Sequence, residues 1–144
     1  MKSSYLIPFV FLLFACNSKK DAMTDKSKKA SLVTTLYTSH YQGRESETNI
    51  IIDNQKDLVA LFKSVGAEEM PNIDFSKNQV VALFLGTKST GGFRISIDRV
   101  EESEGKIYVF KKIETPKTDE MVTMALTNPF VIAEIHNKKE IVFE

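Results

Sequence analysis

The sequence predicts an α+β domain, predominantly antiparallel β with one packed amphipathic helix, its strands arranged as a sandwich or a strongly curled sheet. Three observations carry that expectation. An apolar period of 3.6 residues occurs once, at Leu58, Leu61, Phe62 and Val65. Short β-branched and aromatic runs recur along the rest of the chain, separated by turn residues. One of these, residues 79–85, is apolar almost throughout, as a strand covered on both faces would be.

Taken in order, residues 32–41 and 49–52 read as strands on either side of the polar turn Gln42-Gly43-Arg44-Glu45. The helix follows, with Asp53 or Asn54 as N-cap and Gly66 as its stop. Pro71-Asn72-Ile73-Asp74-Phe75 is a loop leading into the buried strand, which ends at Gly86. Phe93, Ile95 and Ile97 alternate with Arg94, Ser96 and Asp98, the pattern of a strand with one wet face. Glu104-Gly105 turns that strand into residues 107–113, a hairpin that Thr115-Pro116 terminates because proline cannot donate to a ladder. Residues 122–126, 131–135 and 140–143 are expected as three further short strands.

Upstream of this domain the chain changes character. Lys2 precedes an uncharged apolar run over residues 5–15, and the only cysteine, Cys16, closes it. A charged start, an apolar stretch of about a dozen residues and a small residue before a cleavage point describe a secretory signal peptide. The run is too short for the roughly 20 residues a spanning helix needs. Leu13-Phe14-Ala15-Cys16 resembles the lipobox of bacterial lipoproteins, which implies that residues 1–15 are removed and that the Cys16 thiol carries the lipid. Two or three acyl chains together hold a protein on a membrane without spanning it. Residues 16–31 contain Lys19, Lys20, Lys26, Lys28 and Lys29 against Asp21 and Asp25, with no apolar period, and read as a basic tether. Residues 32–144 form the single domain, and the expected location is the bacterial cell envelope, lipid-anchored outside the cytoplasm.

Charge excludes one class of partner. Nineteen basic residues balance nineteen acidic ones, and the excess of lysine sits in the tether, so nothing points to nucleic acid. The segment Gly86-Thr87-Lys88-Ser89-Thr90-Gly91-Gly92-Phe93 invites comparison with a phosphate loop. Gly86 and Gly91 have the required spacing, but Gly92 and Phe93 stand where lysine and a hydroxyl should be, and a strand follows where a helix is needed. Gly91-Gly92 fits a turn or bulge with positive φ or close backbone approach. A loop this long and polar is also a natural contact surface.

The ordered set of Asp74-Phe75, the Gly86–Phe93 loop, an alternating strand and Thr127-Asn128-Pro129-Phe130 resembles the C-terminal domain of the protease-complex subunit PrcB family. The resemblance spans most of residues 36–143, with Phe93 where tyrosine is usual and no tryptophan in the helix. It implies a protein that associates with a secreted or envelope protease and supports it without catalysis. The expected partner-binding residues are Lys88, Ser89, Thr90, Gly91, Gly92, Phe93, Asn128, Pro129 and Phe130, and Cys16 is the lipidation site. No cofactor or metal is expected, since His40 and His136 form no ligand spacing. Glu101, Glu102 and Glu104 read as a solvated hairpin tip, and Ser89 and Thr90 have no identifiable base. A lipoprotein that binds a small ligand or glycan is the alternative, and it needs a concave pocket. A hydrolase ranks last.

Overall fold

A computed structural model describes residues 32–144. Residues 1–31, on which the expected signal peptide, lipidation site Cys16 and tether fall, lie outside the described residues. Seven strands and one helix run in the order β1 (Val33–Ser39), β2 (Glu47–Ile52), α1 (Gln55–Ser64), β3 (Gln79–Leu85), β4 (Arg94–Ser103), β5 (Lys106–Glu114), β6 (Phe130–Ile135) and β7 (Ile141–Phe143). The α+β expectation holds, and the sandwich is the form it takes. A main sheet ordered β1-β6-β3-β2, antiparallel throughout, packs against a second sheet ordered β4-β5-β7.

The centre of the molecule is β3. All seven of its residues are buried, because successive side chains point to opposite faces and both faces are covered. Val80, Ala82 and Phe84 meet Leu58, Leu61 and Phe62 of α1. Val81, Leu83 and Leu85 meet the second sheet, among Val100, Val109 and Ile95. The result is three layers, helix on sheet on sheet, in which the apolar run in the sequence marks the middle.

The helix forms as its pattern requires. Asn54 is the N-cap: its side chain accepts from the Asp57 N–H at 2.9 Å while its own amide donates to the Asp57 carboxylate at 2.8 Å. The β4–β5 hairpin also forms, with Glu104 and Gly105 at φ +51° and +78°, the pair of positive values a tight two-residue turn needs.

β1 and β2, on either side of the turn at residues 42–45, occupy opposite edges of the main sheet, with β6 and β3 between them. One expectation is corrected. Residues 122–126 are a loop, because their backbone is turned toward the Gly86–Phe93 segment and joins no sheet. The last strand, β7, is parallel to β5, the one parallel pairing in the described residues.

Candidate functional site

Two irregular segments, residues 86–93 after β3 and 115–129 before β6, lie against each other. Lys88 and Thr127 exchange both backbone hydrogen bonds, at 2.8 and 3.0 Å, as an isolated antiparallel bridge. The Gly91 N–H donates to the Thr123 carbonyl at 2.9 Å, and the buried Thr127 hydroxyl donates to the Thr90 carbonyl at 2.9 Å. These four bonds join the two loops, which is how segments outside any sheet hold a defined shape.

The glycines are explained by that contact. A Cβ on Gly91 would sit 2.5 Å from the Thr123 hydroxyl oxygen. Gly92 has φ +85°, and its Cβ would stand 2.8 Å from Pro116 Cβ and 3.0 Å from Val122 Cγ1. Only glycine allows both the left-handed backbone and the close passage of the second loop.

The expected site residues separate into three groups. Ser89 is exposed, Lys88 and Thr90 are half-buried, and Lys88 lays its ammonium over the Phe93 ring, 5.9 Å from the centroid. Gly91 and Gly92 set the path of the neighbouring loop. Asn128 is half-buried, and Pro129 and Phe130 are buried. The Asn128 amide donates to the Thr87 hydroxyl at 2.8 Å and its N–H to the His40 carbonyl at 2.9 Å, so its polar groups are engaged internally. Pro129 is buried, and Phe130 is wholly enclosed, stacked on Phe84 with centroids 5.4 Å apart.

Among the exposed polar residues of the second loop stand three large apolar side chains. Met121, Met124 and Leu126 are 98%, 87% and 69% exposed, and they share the loop that rests on Gly91 and Gly92. Sequence reading missed them as a surface because Met-Val-Thr-Met-Ala-Leu carries the composition of a short strand. The one available signal was Pro116 ahead of them and Pro129 behind, which bracket a segment poor in ladder partners.

Beside Gly92 a shallow cleft of about 330 Å³ is lined by Arg94, Glu114, Thr115, Lys117 and Glu120. Glu114 pairs with Lys112 at 2.8 Å, which holds its carboxyl below the usual range, and the Glu120 carboxylate accepts from the Lys117 backbone N–H at 3.1 Å. His40 and His136 stand at opposite ends of the β1–β6 ladder. His136 shares a hydrogen bond of 2.8 Å with the Thr34 hydroxyl.

The geometry falls inside a recognised sequence pattern. Residues 79–136 match the PrcB C-terminal family model. The match runs from the first residue of β3 through both loops to the end of β6, so the buried strand, the glycine loop and the Met-containing loop all lie within the matched residues. No curated protein and no solved structure gives a significant match to the chain.

Proposed function

We propose that this chain is a lipid-anchored, non-catalytic accessory module whose paired loops bind a protein partner, a secreted or envelope protease being the partner that the PrcB match favours. The observation that carries the reading is the exposure of Met121, Met124 and Leu126 on a loop hydrogen-bonded to the glycine segment. Single apolar side chains on a surface are ordinary, but three within six residues of one loop concentrate exposed apolar area of the kind a protein contact covers, and methionine adapts well to a partner's surface. The anchor rests on residues 5–16 of the sequence. Lipid on Cys16 would place this face at the envelope, where a secreted or membrane-bound protease is encountered.

Affinity purification of the full chain in mild detergent is expected to recover a defined partner with protease activity. The triple variant Met121→Ser, Met124→Ser, Leu126→Ser is expected to lose that partner with an unchanged thermal midpoint. Recovery of the same partner by the triple variant overturns the assignment of the surface. The anchor has its own test: intact mass should show an acylated Cys16, and Cys16→Ser should move the chain from the membrane to the soluble fraction. An unmodified Cys16 in the membrane-bound protein overturns it.

The cleft beside Gly92 favours a second reading, a small polar ligand or glycan held by Arg94, Glu120 and the Thr115 hydroxyl. Shifts of these residues' amide signals on titration with oligosaccharides would support it, and an unperturbed spectrum would remove it.

A further inference from the structure

The two sheets expose four edges, and three of them are blunted. β1 carries a register break between Thr35 and Tyr37, β4 carries one between Ile97 and Arg99, and β7 is three residues long. Bulges and short strands are the usual ways in which an edge is kept from pairing with another chain. β2 has none of these. It pairs with β3 without a break from Glu47 to Ile52 and contains no lysine and no proline.

The ladder shows which backbone groups this edge leaves free. The Leu85 N–H donates to the Pro129 carbonyl at 2.9 Å, so Leu85 and its alternates in β3 bond to β6. Phe84, Ala82 and Val80 therefore bond to β2, through their register partners Thr48, Ile50 and Ile52. The N–H and C=O groups of Glu47, Asn49 and Ile51 point outward. Ile51 is also 43% exposed, a large apolar side chain on an open edge.

We propose that β2 pairs with β2 of a second copy of this chain, antiparallel about a two-fold axis at Asn49, joining the two main sheets into one. This interface is distinct from the loop surface and goes beyond the function proposed above. Asn49 is the middle of the three outward-facing residues. A two-fold axis there sets Asn49 opposite the second copy's Asn49, and Glu47 opposite the second copy's Ile51, in hydrogen-bonded pairs that use every free group on both edges.

Charge favours the same occupant. A groove of about 260 Å³ runs between β2 and α1, with Arg44 and Asp57 both in its lining. Arg44 precedes β2 and Asp57 follows it, so they mark opposite ends. Arg44 lies over the Phe84 ring at 5.1 Å and forms no ion pair among the described residues. Antiparallel pairing brings the Arg44 end of each groove toward the Asp57 end of the other. Glu47 is already neutralised by Lys111 at 3.1 Å.

Site-directed cysteines on the full chain test the register. Asn49→Cys is expected to form a disulfide-linked species at twice the chain mass under mild oxidation, because Cα atoms of a hydrogen-bonded antiparallel pair lie about 5.5 Å apart, within disulfide reach. Glu47→Cys alone should not, since its counterpart is four residues away along the second strand, and the unsubstituted chain reports any linkage through Cys16. Asn49→Pro removes an N–H that β3 does not use, so light scattering should read half the mass of the unsubstituted chain with the same circular dichroism. Equal linkage at positions 47 and 49, or no linkage at 49, overturns the proposal. The latter result is also what a foreign strand occupying the edge would produce.

Discussion

Gly92 shows how a single backbone position can control a surface to which it contributes no side chain. Its φ of +85°, and the 2.8 Å that would separate an added Cβ from Pro116, mean that Gly92→Ala meets both backbone strain and a clash. A cost of about 1–3 kcal/mol is expected, read from urea denaturation. Partner binding should weaken further than stability does, because relief of the clash moves the loop bearing Met121 and Met124. Asp74 makes a second residue-scale case. The Ser76 hydroxyl, then the Ser76 N–H and Lys77, hold its carboxyl below the ordinary value of 3.8. A depressed carboxyl contributes stability that is present above the unfolded-state value and is lost as pH falls through the folded one. Ser76→Ala should therefore raise the Asp74 titration midpoint, followed by its carboxyl carbon signal, and shift the acid-side loss of stability to higher pH.

At the scale of elements, α1 and β3 are where local pattern and tertiary environment agree. Asn54→Ala removes the N-cap acceptor of the Asp57 N–H and should cost about 1 kcal/mol, measured by thermal unfolding. Leu83→Ala, in the strand enclosed on both faces, should cost about 2–5 kcal/mol. The same contrast explains what the sequence made legible. The helix period, the apolar run of β3 and the alternation of β4 are each written within ten residues, and each element formed as read. Residues 122–126 carry strand composition but no free partner, since the Thr123 carbonyl and both backbone groups of Thr127 are taken by the glycine loop. The separation of β1 from β2 was not legible for a related reason: nothing in a 42–45 turn reports that β6, some ninety residues later in the chain, pairs with β1. The candidate site was legible as an ordered set of motifs. Its outward face was not, because which side of Asn128, Pro129 and Phe130 meets solvent is decided only by packing.

For the whole molecule, three layers share one central strand, and stability should be distributed accordingly. Amide hydrogen exchange is expected to be slowest in β3 and β6, which are paired on both sides, and fastest in the 115–126 loop and in β7. Comparable rates in β3 and β7 would contradict that order. The Lys88–Thr127 bridge also has a consequence for grafting. It ties two segments nearly forty positions apart into one unit, since each supplies hydrogen-bond partners to the other. A chimera that replaces the glycine loop and leaves the Met-bearing loop behind should lose that fit, whereas transplanting both together should keep it.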